Sequence, residues 1–275
     1  MTMTVPVAPH ENRAGLRWTL TDAWTLTRRN LAHWSRNPAV LLTSLAFNVL
    51  IVLMFGFLFG GAMVVPGGGG YREFLMPGMF AMTMVFGISM TTTAVATDLE
   101  RGVTDRFRSM PMAPAAALIG RAVADLLFAV VTLVTMMLLG LAIGWRATGS
   151  PGAALGAAGL ILWLRFALVW VGIYLGLVLR GQEAVAGVQI LEFPLGFLSG
   201  AFVAPATMPA WLGAVAEWNP LSSTVQATRE LFGNPGWGGE SWIAGHAPLM
   251  AVVWPLALVA VFLPLAVRQY RSLSD

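Results

Sequence analysis

Few residues in this 275-residue chain could do chemistry, and the most conspicuous are ionisable groups set inside apolar runs. Arg121 and Asp125 stand four positions apart, the spacing of an intrahelical ion pair. Arg165 and Glu192 each stand alone in later apolar runs. A charge in hydrocarbon is costly, so each of these positions is a functional candidate by default. Two outcomes are open for Arg165 and Glu192. They pair with each other or anchor the tertiary structure, as buried charges usually must, or they face a polar cavity. A proton relay would need more than one isolated acid.

The densest run of charge is ATDLERGVTDRFRSMPMAP, residues 96–114. Glu100 to Met110 is expected to form a short helix, stopped by Pro111 and Pro114. Its charges alternate in sign, which does not suit a patch for anionic lipid. Phe107, set among Asp105, Arg106 and Arg108, has the form of a contact knob with a charged rim. One reading is a rigid helix that docks into another protein. The other is a solvated loop whose arginines set membrane topology.

What is missing narrows the choice. The chain has no GxxxxGK[ST] phosphate loop, GxSxG elbow or HExxH pair. It has no cysteine, and its three histidines (His10, His33 and His246) are not at metal-ligand spacing. An enzyme reading has little to stand on, and no metal or cofactor is expected on this chain. The isoelectric point near 10.2 comes without a basic run or aromatic platform, so nucleic acid is not an expected partner.

The elements that must position these groups are membrane helices. Hydrophobic residues make up 57% of the chain and charged ones 11%, with a mean hydropathy of +0.74. Soluble domains carry about 25% charged residues, so lipid must be part of this chain's solvent. Six apolar segments, at about 39–62, 74–97, 115–145, 153–179, 184–204 and 248–267, are each long enough to span. The first begins too deep in the chain, and runs too long, for a cleaved signal peptide. Residues 1–15 read as a polar cytoplasmic tail. Residues 16–36 read as an amphipathic helix lying in the headgroup layer, with Trp24 and Trp34 at the interface and Arg28 and Arg29 toward phosphate. With the N-terminus inside, twelve arginines fall on the inner side against Arg72, Arg146 and Arg229 outside, which places both termini in the cytoplasm.

Residues 205–247 fit neither a span nor a simple loop. Their apolar pieces, cut by Pro209, Pro220 and Pro235, are too short to cross and suit helices that dip into the outer leaflet and return. Gly56/Gly60, Gly140/Gly144, Gly172/Gly176 and Gly196/Gly200 have the GxxxG spacing of close helix packing, a weak signal among thirty glycines. No repeat links the first three spans to the last three.

Three stretches carry a resemblance to a known family. They are Leu99-Glu100-Arg101-Gly102 to Pro114, continuing into Gly120-Arg121 and Ala124-Asp125; FLSGAFVAP at Phe197–Pro205, leading into Met208–Leu212; and Glu217-Trp218-Asn219-Pro220 with Thr228-Arg229. In order and spacing the chain resembles the ABC-2 type permeases, in particular the daunorubicin-resistance type of drug-exporter membrane subunit. The resemblance implies an all-α membrane protein with six spans over 37–275, an elbow helix over 16–36 and outer re-entrant helices over 205–247. It also implies a coupling segment over 98–112 that seats against a separate ATPase. Glu100, Arg101, Gly102, Asp105, Arg106, Phe107 and Arg108 are the coupling residues so implied. ATP and magnesium would sit on that partner, two permeases (identical ones expected) would work with two ATPases in a bacterial plasma membrane, and the chain itself would not be catalytic. Spans one, two and five would border the substrate path, with Phe86, Met90, Phe197 and Phe202 as candidates.

Three rival readings remain beside a lipophilic-compound exporter. The same architecture also exports cell-envelope glycans or lipid-linked polymers. An ATPase-independent channel or secondary transporter would need charges through the midplane, for which only Arg165 and Glu192 are available. A structural membrane subunit would transport nothing.

Overall fold

The computed structural model describes residues 38–58, 68–103, 114–179, 181–237 and 241–273, with Thr21, Trp24, Thr25, Thr27, Arg28 and Val65. All of its regular structure among these residues is helical. Helix α1 is Pro38–Leu53 and runs on into a wider π-helical turn, Met54–Leu58. Helices α2 (Tyr71–Val85) and α3 (Gly87–Glu100) follow each other across a kink at Phe86. Then come α4 (Pro114–Ala142), α5 (Pro151–Val178) and α6 (Gln182–Phe197). The short helices α7 (Ala210–Trp218), α8 (Pro220–Phe232) and α9 (Trp242–Gly245) precede the long α10 (Ala247–Ser272).

Four helical runs are long and apolar enough to cross a membrane: Tyr71–Glu100, Ala116–Ala142, Pro151–Val178 and Ala247–Ser272. They coincide with four of the six expected spans. The other two are shorter as helices. The apolar helix Leu45–Leu58 covers the end of α1 and the π-helical turn, and α6 has 16 residues.

Local sequence explains the helix ends. Ser150 caps α5 by accepting from the Ala153 amide, with Pro151 at the first helical position. Asn219 caps α8 in the same way through the Leu221 amide, ahead of Pro220. That helix stops at Gly233, whose φ of 69° is left-handed and open to glycine at low cost. The charged segment differs from expectation at its start. Asp98 to Glu100 complete α3, and Arg101 and Gly102 turn the chain, with Gly102 at φ 63°. Helix resumes at Val103; residues 104–113, with Asp105, Arg106, Phe107 and Arg108, lie outside the described residues.

Helix α5 is the central post. It packs on α10, α3, α8, α4 and α2, while α1 and α6 lie at the flanks of α2 and α3. The α5–α3 contact explains one of the four GxxxG pairs. A Cβ on Gly172 would stand 2.8 Å from Thr91 Cβ, and one on Gly176 would stand 2.7 Å from the Thr92 carbonyl. The Thr92 hydroxyl also donates to the Gly172 carbonyl at 3.2 Å. Small residues here let two backbones approach closely. Gly196 and Gly200 instead make room for the side chains of Met82 and Trp237.

Replacing Gly172 with Leu forces α5 off α3 and should cost about 1–3 kcal/mol, as overpacking does. Gly159, on the same helix, faces open space, so Gly159→Leu should leave the melting temperature in detergent near that of the wild type.

Candidate functional site

The kink at Phe86 organises the site. Where one helix ends and another begins, carbonyls at the first end and amides at the second lose their partners. In an apolar layer these groups cannot turn to water. Two charged side chains from neighbouring helices meet them. Arg165 of α5 donates from Nη1 to the Met84 carbonyl at 3.3 Å, near the end of α2. Glu192 of α6 accepts from the Ser89 amide at 2.5 Å, in the first turn of α3, and from the Ser89 hydroxyl at 2.9 Å. Each charge complements the helix end it touches, a cation at the carbonyl end and an anion at the amide end. Gly87 makes this possible, because a Cβ there would collide with the Arg165 guanidinium.

Arg165 and Glu192 therefore do not pair with each other. Arg165 lies with Asp125, its Nη2 being 3.9 Å from Oδ2, and Arg121 Nε is 3.1 Å from Asp125 Oδ1. The Arg121 contact is ionic and not a directed hydrogen bond, since that N–H has no aligned acceptor. Thr91 joins the group, donating to Asp125 at 2.6 Å and accepting from Arg165 at 2.9 Å. Asp125, Arg165 and Glu192 are all buried.

From Phe86 the rings of six phenylalanines form a ladder. Phe86 contacts Phe47 of α1 at 5.7 Å and Phe193 of α6 at 5.4 Å, measured between ring centroids. Phe193 leads to Phe197 at 6.2 Å, Phe197 to Phe202 at 4.7 Å, and Phe202 to Phe55 at 4.4 Å. Three of the four proposed path residues, Phe86, Phe197 and Phe202, thus share one aromatic surface. The fourth, Met90, lines a small cavity beside Phe86. Phe47, Phe193 and Phe197 are each about two-fifths exposed, at 41%, 40% and 37%, so the ladder forms an open face of the chain.

The short helices α7 and α8 are held by the same kind of contact. Arg229 of α8, grouped from sequence with the outer-loop arginines, is instead fully buried. It donates to the Phe74 and Ala201 carbonyls at 2.9 and 3.0 Å and stacks on the Phe74 ring at 3.5 Å. The Asn219 amide reaches the Leu195 and Leu198 carbonyls at the end of α6, and the Ser222 hydroxyl accepts from the Gly200 amide. Polar residues at the start of α8 thus satisfy the backbone where α6 stops.

Of the remaining predicted residues, Glu100 and Arg101 are exposed at the end of α3, beside Gly102. Trp24 and Arg28 are exposed, while Thr27 between them is buried and donates to the Gly120 carbonyl of α4 at 3.1 Å. Arg29 and Trp34 lie outside the described residues. Sequence reasoning missed Ser89, Thr91, Phe47, Phe55 and Phe193. The position of Phe193 beside Glu192 was the one available hint.

Removing one member of a buried ion group leaves the other uncompensated and costs about 3–5 kcal/mol. Asp125→Leu should therefore lower the melting temperature more than Asp125→Leu combined with Arg165→Met, with Arg121 present in both.

Comparison with known proteins gives one family match and three relatives. A family described as ABC-2 type transporter matches residues 21–232. The chain is 36% identical over 256 residues to the daunorubicin resistance ABC transporter permease protein DrrB1 of Streptomyces coeruleorubidus, covering 92% of this chain and 86% of that one. It is 26% identical over 216 residues to the putative transport permease ycf38 of Pyropia yezoensis, with 77% and 74% covered. It is 29% identical over 172 residues to the probable multidrug ABC transporter permease YbhR of Escherichia coli, covering 59% of this chain and 44% of that one.

Proposed function

This chain belongs to the ABC-2 type transporter family, and on that premise we propose that it is the membrane-spanning permease subunit of an ATP-driven exporter of lipophilic or amphipathic, drug-like compounds. The observation that carries the substrate class is the phenylalanine ladder. It draws on α1, α2–α3 and α6, and it opens on a face that a single chain leaves uncovered. Rings of this kind hold apolar and flat aromatic molecules without demanding one shape.

The chain crosses the membrane six times on this reading, with α1 and α6 as the shorter spans and both termini in the cytoplasm. Residues 16–36 are the elbow helix, 98–112 the coupling segment and 205–247 the outer re-entrant region. Two copies of the chain face each other, and two ATPase subunits hold the ATP and magnesium. Nucleotide drives the pump through its different affinity for two conformations of the complex. Closure of the ATPases pushes on the segment around Glu100 to Arg108, and α3 carries the push toward the kink at Phe86.

Phe193→Ala removes ring contacts worth about 1 kcal/mol to a bound aromatic compound, so transport of such compounds into inverted vesicles should fall about fivefold. Arg106→Ala or Phe107→Ala should uncouple ATP hydrolysis from transport. Transport that survives all three substitutions, yet is lost when Arg165 and Glu192 are neutralised, would indicate a channel or secondary transporter instead.

A further inference from the structure

The cavity beside Phe86 is built differently from the ladder it adjoins. Its walls come from five helices and include Asn48 of α1, Thr83 of α2, Met90 of α3, Thr132 of α4 and Arg165 of α5. Its volume is about 30 Å³. A water molecule needs roughly 10–15 Å³ on this measure, so the space takes one small polar group and no ring. Whatever enters must leave its bulk outside, where Phe86 is also a rung of the ladder.

The chemistry of the walls selects that group. The Thr83 hydroxyl donates to the Phe80 carbonyl at 2.7 Å, and the Thr132 hydroxyl donates to the Phe128 carbonyl at 3.0 Å. With their hydrogens committed, these two oxygens can only accept. The Arg165 guanidinium has five N–H groups and directs bonds to Met84 and Thr91, so it still has donors to offer. A group that both donates and accepts fits such walls, and a hydroxyl does both. Charge argues the same way. The formal charges of Arg121, Asp125, Arg165 and Glu192 sum to zero. An added charge of either sign would be uncompensated in a low-dielectric layer.

We propose that this cavity is the polar subsite of the transport path, and that it takes an uncharged hydroxyl on a flat aromatic compound whose rings lie along Phe86, Phe47 and Phe193. This rests on the reading of the ladder as the substrate path. It narrows the cargo from lipophilic compounds in general to hydroxylated aromatic ones.

The test uses the full chain in lipid nanodiscs and four fluorescent probes: pyrene, 1-pyrenemethanol, 1-pyrenemethylammonium and 1-pyrenecarboxylate. One buried hydrogen bond corresponds to about fivefold in affinity, so the wild type should bind pyrenemethanol about fivefold more tightly than pyrene. Neither charged probe should gain over pyrene. In Thr132→Val, which is nearly isosteric, and in Asn48→Leu the ratio of the two neutral probes should fall toward one. Elution position and melting temperature confirm that each variant is folded. A ratio that stays near five in both variants overturns the subsite while leaving the ladder in place, provided Phe193→Ala still weakens pyrene. A gain for either charged probe that Thr132→Val abolishes overturns the assignment of a neutral group. If Phe193→Ala binds all four probes as the wild type does, the ladder reading fails and takes the subsite with it.

Discussion

A backbone interrupted inside an apolar layer must have its hydrogen-bonding groups met by the protein itself, and this constraint shapes the whole chain. At Phe86 it is met by Arg165 and Glu192, which give the two loneliest charges in the sequence a structural reason to be there. At the end of α6 it is met by Asn219, Ser222 and Arg229, brought in by a helix whose polar residues are buried. The cost of burying those polar side chains is offset because each is hydrogen-bonded to a backbone group.

The aromatic ladder and the polar cavity sit where they do because of the kink. Phe86 occupies the kink itself, Gly87 admits the guanidinium, and Ser89 one turn on receives the carboxylate. From there α3 runs 14 residues to Glu100, about 20 Å at helical rise, and ends beside the charged segment. A push at one end of so short and rigid a rod reaches the other. Close packing of α3 on Gly172 and Gly176 of α5 restricts it to sliding or tilting as a unit. Under the proposed function this rod is what links nucleotide to substrate.

Much of this was legible in the sequence, for physical reasons that differ by feature. Four of the span positions follow from the length of apolar runs, a property that tertiary contacts barely alter. The helix starts at Ser150-Pro151 and Asn219-Pro220 follow from capping chemistry. The kink had no local signal. Prolines at 77, 194, 255 and 264 stand within helices that continue past them, while the interruption falls at Phe86, well beyond Pro77. The burial of Arg229 was not legible, because an arginine count sees charge and not burial. The partner of Arg165 was also out of reach, since Asp125 had already been matched to Arg121 by spacing, and only the fold brings three charges together. The ladder was half visible. The resemblance pointed to Phe86, Phe197 and Phe202, and packing added Phe47, Phe55 and Phe193.

The central claim is that this chain is the membrane half of a two-component pump, and co-purification tests it most directly. The tagged chain, expressed in its native background and extracted in mild detergent, should bring down an ATPase that carries a phosphate-loop motif. The complex should hydrolyse ATP, and a flat aromatic compound should stimulate it. A chain that purifies alone and moves such compounds across liposomes without ATP would contradict the account.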